Sequence, residues 1–321
     1  MITFGTACDD DIREIRVAFG FSGNDTLVGT SETDFPFGGS GDDLIEGRGG
    51  ADLLAGGSGA DRITATGAGS LALGGSGDDR LFGFGDVTLR GGAGDDAIFG
   101  VGPAPYQRAY GGAGDDLIAG ARDAFGGAGN DTLRDENLFG ERLHGGSGDD
   151  VFENVGLAEI IGGSGFDTID QSRSRNALTI DLSAGTGRED TSAGFAPRAI
   201  RGVEAVLAGD GDDDLSGNGR ANLLTGADGA DTLAGRGGDD TLSGGAGENV
   251  LTGGAGADLF VIGAGTDIIT DFRDDDALAT EDGALNLAAA MLTQTAEGVL
   301  IDLGTGTALF QGTTVDDLLG G

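Results

Sequence analysis

Apolar side chains fall at every ninth residue along much of this chain, each preceded by a polar stretch dense in glycine. Residues 20–82 divide into seven such nonapeptides and residues 208–261 into six, all in phase. The strict form, Gly-Gly-x-Gly-x-Asp-x-apolar, begins at Gly38, Gly56, Gly74, Gly91, Gly111, Gly126, Gly145, Gly162 and Gly253, with degenerate copies such as GFSGNDTLV and GNGRANLLT in the same phase. A short fixed period marks a solenoid, in which each repeat buries its apolar side chain only against its neighbours. The first six residues of a unit suit a tight turn with positive φ, and the last three suit a short strand.

Two units make one coil of a flattened helix, so successive turns lie on opposite edges and every second turn stacks on the same edge. Between Gly74 and Gly162 the strict motif returns after 17, 20, 15, 19 and 17 residues, about two units each time. The phase therefore places Asp25, Asp43, Asp61, Asp79, Asp96, Asp116, Asp131, Asp150 and Asp167 on one edge. The opposite edge carries Asp34, Asp52 and Ser70, then irregular segments such as GVGPAPYQRAY and DENLFGERLH. The expectation is an all-β chain: two stacked parallel β-rolls, β-helix-like solenoids of GGxGxDxUx units, with a small β-rich C-terminal cap. Position eight (Leu27, Ile45, Ile63, Leu81, Ile98, Ile118, Leu133, Phe152 and Ile169) points inward as a thin core.

The turn has the composition of a calcium site. Ca²⁺ takes six to eight oxygens and mixes carboxylates with backbone carbonyls in a tolerant geometry. Glycines at positions one, two and four let carbonyls turn toward a common centre, and the position-six aspartate adds a carboxylate. The candidate carbonyl donors at positions two and four are Gly39 and Gly41, Gly57 and Gly59, Gly75 and Gly77, Gly92 and Gly94, Gly112 and Gly114, Gly127 and Gly129, Gly146 and Gly148, Gly163 and Gly165, and Gly254 and Gly256. Asp52 joins the candidate carboxylates on the otherwise degenerate, mostly metal-free edge.

Composition supports a cation as partner. Of 321 residues 68 are Gly, aromatic residues make up 6%, and net charge is -37, which repels nucleic acid and anionic membrane surfaces and attracts hard cations. The basic residues are all Arg, so lysine-based phosphate loops and Schiff bases are excluded. A single cysteine, Cys8, and a single histidine, His144, exclude an intrachain disulfide, a thiolate zinc cluster and a two-histidine zinc site. Sharing one ion between same-edge turns gives up to about 12 ions, roughly +24 of charge against -37. Without metal, carboxylate repulsion and backbone entropy outweigh a core one side chain deep, and the expected state is disordered.

Residues 1–19 read as a lead-in, 20–170 as the first roll, 171–207 as a connecting β segment, 208–261 as the second roll, and 262–321 as the C-terminal cap. The connecting segment NALTIDLSAGTGR is echoed by VLIDLGTGT near the end, and both read as hairpins. A short helix is expected around Gly283–Leu292, and Asp271, Asp274, Asp275 and Asp276 read as a solvated acidic turn, the alternative being a cluster that holds an extra ion near the joint with the tail. The start, MITFGTACDDDIREIRVAFG, has no basic segment followed by an apolar run, so the expected export route is one without a cleaved N-terminal signal.

These motifs closely resemble the repeats-in-toxin (RTX) family of hemolysin-type calcium-binding nonapeptides, over about 20–170 and 208–261. The resemblance implies Ca²⁺ held between same-edge turns by turn carbonyls and position-six aspartates, with Asp213, Asp231, Asp240 and Asp258 serving in the second block. Asn222 and Asn249 depart from the pattern at position six. It also implies type I secretion machinery as a partner, an uncleaved C-terminal signal in 262–321, and an extracellular destination. Catalysis is disfavoured by the absence of H-E-x-x-H and G-x-S-x-G. The alternative is an extracellular adhesin or matrix scaffold using the bare edge and the loops at Val101–Tyr110 and Asp135–His144, which otherwise read as tolerated insertions.

Overall fold

The computed structural model describes residues 2–14, 16–102, 106–135, 142–153, 158–190, 198–280, 291–302 and 306–314. Among them every regular element is a strand, and the chain separates into two compact units, 1–167 and 168–321. Each is a parallel β-roll, as the nonapeptide period requires.

In the first unit, strands alternate between two sheets. One contains Val17–Ser22, Phe35–Ser40, Leu53–Ser58, Leu71–Ser76, Thr88–Ala93, Arg108–Ala113, Asp123–Ala128, Arg142–Ser147 and Glu159–Ser164, each parallel to the next and, from Phe35–Ser40 on, ending on the Gly-Gly-x of a motif. The other contains the shorter strands that follow position six, from Thr26–Val28 to Val151–Glu153. The segment read as a lead-in already builds a coil: Ile2–Phe4 pairs with Val17–Phe19, and Asp11–Arg13 with Thr26–Val28.

Between the sheets the position-eight residues Leu27, Ile45, Ile63, Leu81, Ile98, Ile118, Leu133 and Phe152 are fully buried. They face a leaner file from the first sheet, Ala18, Leu54, Ala72, Leu89, Ala109, Ala124, Leu143 and Ile160. Alanine at Ala18, Ala72, Ala109 and Ala124 shares that file with Leu54, Leu89, Leu143 and Ile160, so a coil buries one or two large side chains. Burying a Leu or Ile contributes roughly 1.5–3 kcal/mol.

In the second unit, one sheet runs through Thr168–Asp170, Ala205–Leu207, Leu223–Asp228, the first part of Thr241–Ala255, Leu259–Ile262 and Ala277–Thr280. Its partner runs through Leu178–Asp181, Asp214–Ser216, Thr232–Gly237, the second part of Thr241–Ala255, Gly265–Ile269 and Thr307–Gln311. Both echoed segments are antiparallel hairpins: Leu178–Asp181 pairs with Thr186–Glu189, and Gly298–Asp302 with Thr307–Gln311. Phe310, fully buried, meets Phe272 edge-on with ring centroids 5.0 Å apart. The expected helix is corrected at its end: 283–290 lies outside the described residues, and Met291 and Leu292 open the strand Met291–Gln294. Of the two loops, 103–105 and 136–141 also lie outside them.

Ile98→Ala is expected to lower stability in saturating Ca²⁺ by about 2–5 kcal/mol, whereas the same truncation of Leu117, half-exposed on the outer face, costs less than half of that. Denaturant titration followed by circular dichroism measures both.

Candidate metal-binding edges

Each short strand follows a turn of constant length, and stacking these turns brings the position-six aspartates into a row. The row starts earlier than the phase analysis placed it, at Asp10. The amides of Asp10, Asp25, Asp43, Asp61, Asp79, Asp96, Asp116, Asp131 and Asp150 each donate to Oδ1 of the next aspartate in the row, ending on Asp167, over 2.7–3.0 Å. From Asp25 onward these side chains are buried.

One oxygen of each carboxylate is thus used. The other, Oδ2 of Asp25, Asp43, Asp61, Asp79, Asp96, Asp116, Asp131 and Asp150, is buried without a hydrogen-bond partner. An unpaired buried acceptor costs about 1–3 kcal/mol, more when charged, so a row of them requires an explanation. Each Oδ2 turns toward the first glycine of its own motif. A Cβ placed on Gly56 would collide with Asp61 Oδ2 and lie 2.7 Å from the carbonyl oxygen of Gly74 in the next coil; Gly38 and Gly126 repeat this arrangement. Carboxylate and carbonyl oxygens therefore converge around a point where no side chain fits.

The second and fourth glycines add files of carbonyls. A Cβ on Gly57 would strike the oxygen of Gly39, and Gly75, Gly92, Gly112, Gly127, Gly146 and Gly163 continue the file, each against its predecessor. Gly59 stands likewise over Gly41, followed by Gly77, Gly94, Gly114, Gly129, Gly148 and Gly165. In both files φ lies between 110° and 135°, a conformation that favours glycine. In the second unit Gly254 and Gly256 stack on Arg236 and Gly238.

The second unit has two rows. Leu178, Asp213 and Asp231 donate their amides to Oδ1 of Asp213, Asp231 and Asn249, and Asn222, Asp240 and Asp258 donate theirs to Asp240, Asp258 and Asp276. Oδ2 of Asp213, Asp231, Asp240 and Asp258 is again buried and unpaired. Asp276 is a rung of the row and Asp271 accepts from the amides of Gly253 and Gly254, so neither is merely solvated as the acidic-turn reading expected.

The opposite edge of the first unit loses its carboxylates coil by coil. Position six there reads Asp34, Asp52, Ser70, Val87, Gln107 and Arg122, as the strand registers fix. Asp34 turns Oδ2 back onto the amide of Thr30 at 2.6 Å, Ser70 Oγ accepts from Asp52, and Gln107 Nε2 donates to the carbonyl of Gly83. Asp52 alone on this stretch keeps a buried, unpaired Oδ2 beside the first glycine of its turn, Gly47.

Three features escaped the sequence. Asp10 follows Gly5 and precedes Ile12 at motif spacing, and Asp267 and Asp276 continue the period after Asn249 and Asp258; each signal was present but lacked the Gly-Gly pair. Position five also forms a ladder, in the reverse sense: Oδ1 of Asp9, Asn24, Asp42, Asp78, Asp95, Asp115, Asn130 and Asp149 accepts from the amide of the following coil. Cys8 is an exposed free thiol, and His144 stacks on Phe125.

Burial holds the row carboxylates well above their ordinary range, with neighbouring carboxylates adding to it and the donated amides opposing it. Asp61, Asp79, Asp116, Asp213 and Asp240 rise to about 7. Asp43, Asp52, Asp96, Asp131, Asp150 and Asp231 rise to about 6, and Asp25 and Asp258 are raised as well. Such groups want a proton or a cation. Among the described residues no three His, Cys, Asp or Glu side chains converge, so a cation here would draw on carbonyl oxygens too, a hard, oxygen-only donor set that fits calcium.

Comparison with known proteins agrees. The profile of a family described as RTX calcium-binding nonapeptide repeat matches residues 19–35, 29–63, 73–102, 123–136, 138–153, 207–242 and 235–269. No curated protein compared with the chain matches it. Among solved structures, the extracellular lipase LipA from Serratia marcescens is similar at 19% identity and a TM-score of 0.29; the match covers 79% of this chain and 38% of the lipase.

In EDTA, acidification from pH 7 to pH 4 is expected to stabilise the roll. The folded aspartates bind protons in this window while unfolded ones, with ordinary values near 4, stay ionised, so stability falls as pH rises through 6–7. Far-UV circular dichroism against pH checks this. Separately, Gly59→Ala should cost about 1–3 kcal/mol from its positive φ alone, plus the clash with Gly41. Gly49→Ala, whose Cβ would come no nearer than 3.7 Å to Ser31, should be close to neutral in the same denaturation assay.

Proposed function

Because the chain belongs to the RTX calcium-binding nonapeptide repeat family, we propose that it is an exported, non-catalytic roll that folds as calcium enters its aspartate rows. The observation that carries this reading is the unpaired, buried Oδ2 repeated from Asp25 to Asp150 and again at Asp213, Asp231, Asp240 and Asp258. These carboxylates, with the carbonyls of the stacked position-one, -two and -four glycines, are the residues that would hold the ions. Bound calcium would supply positive charge between facing acceptors that have no hydrogen-bond donor among the described residues.

The same residues make folding and binding one event. Neighbouring carboxylates at the spacing of parallel strands, about 4.8 Å, repel by roughly 3–4 kcal/mol at an effective dielectric of 20. Where a coil buries a single large side chain, as beside Ala18, Ala72, Ala109 and Ala124, that repulsion exceeds the roughly 1.5–3 kcal/mol its burial contributes. Metal-free at neutral pH, the chain stays open, which suits passage through a type I exporter from a calcium-poor cytosol; outside, calcium closes it. The single histidine, His144, stacks on Phe125, and the sequence holds neither H-E-x-x-H nor G-x-S-x-G, which supports binding and folding rather than turnover.

Far-UV circular dichroism in EDTA, titrated with Ca²⁺ to ~10 mM, tests this over the range of weak extracellular sites. The expected result is a disordered spectrum converting cooperatively to β-structure. A spectrum already β-rich at neutral pH and unmoved by calcium would overturn the reading and leave a metal-independent scaffold.

A further inference from the structure

Asn249 occupies position six in the row Asp213, Asp231, Asn249, Asp267. It preserves one of the aspartate's two contacts, since its Oδ1 accepts the amide of Asp231 at 3.0 Å, as Asp231 Oδ1 accepts that of Asp213 at 2.8 Å. That bond fixes which side-chain atom is oxygen, because a backbone N–H can donate only to an acceptor. The other atom is then Nδ2. It lies against the first glycine of its own turn, Gly244, the place where Asp231 turns Oδ2 toward Gly226. It donates to Oδ1 of Asp267 over 3.0 Å, with both side chains fully buried.

At an Asp–Asp rung two acceptors face one another, and only a cation or a proton satisfies both. At the Asn249–Asp267 rung an N–H replaces the inner acceptor, so the pairing is complete with no ion. An amide also brings no charge to attract one. Asn222 on the other row sits the other way round: Nδ2 takes the ladder side, donating to the carbonyl of Glu204 at 3.0 Å, and Oδ1 takes the inner place beside Gly217, accepting from the amide of Asn218 at 2.8 Å.

We propose that Asn249 is an ion plug: it carries the hydrogen-bonded ladder across one rung while closing that rung to calcium, so that the row ends its metal sites at Asp231. The amide in place of a carboxylate at Asn249 thus limits how many ions this row takes without interrupting the roll. This inference rests on the calcium reading above.

Calcium bound per chain at saturation, by equilibrium dialysis with elemental analysis, tests it on the full-length protein, with circular dichroism in Ca²⁺ as a check of folding. Asn249→Asp should bind one more ion than the wild type, and Asn249→Ala the same number as the wild type with lower stability. Unchanged stoichiometry in folded Asn249→Asp, or an ion lost in folded Asn249→Ala, would overturn the plug while leaving the calcium reading intact. A wild-type chain that takes up no calcium would overturn both.

Discussion

The structure depends on the meeting of like groups. In a parallel roll every coil repeats its neighbour at strand spacing, so whatever stands at position six stands against itself, and here it is a carboxylate buried on one oxygen. Hydrogen bonding solves half of the problem, because Oδ1 takes the amide of the coil before it. The other half cannot be solved by the chain's own atoms along the Asp25–Asp150 row. Each coil has only one or two large apolar side chains to set against that repulsion, and on the calcium reading proposed above the roll's stability follows the solution's cations and pH.

Glycine follows from the same constraint rather than from flexibility. Position one is glycine because carboxylate and carbonyl oxygens converge where its Cβ would be, and position four because the carbonyl of the coil beneath occupies that volume at positive φ. On the opposite edge the coils at Ser70, Val87 and Gln107 have given up the carboxylate, and there the glycine pattern relaxes as well. Side chains such as those of Thr30 and Gln107 take over the hydrogen bonding that the glycine turns leave to an ion.

Most of this was legible in the sequence because a solenoid's long-range contacts are local contacts repeated. Once the interval between Asp25 and Asp43 is known, the register of every later coil follows, including the 15-residue step from Gly111 to Gly126. The fold class, the inward row from Leu27 and the single-edge aspartates could all be read from periodicity. Asp10, Asp267 and Asp276 could not be read from the strict motif, because their turns lack the Gly-Gly pair at positions one and two. The opposed ladder of position five was invisible for another reason: Asp and Asn are ordinary turn residues, and the direction of a side-chain hydrogen bond is written only in three dimensions.

The uneven intervals of the first unit have a consequence for how such a chain changes over generations. From Gly38 to Asp167 the turn on the aspartate edge keeps one length, and every gain or loss of residues falls on the opposite edge, at segments such as 101–107 and 120–122. One side of the molecule is thus held to a strict metre while the other is free text. New peptide can be written into that margin without moving a single rung, which makes the bare edge the place where descendants of this roll diverge and where an engineer would graft a foreign loop.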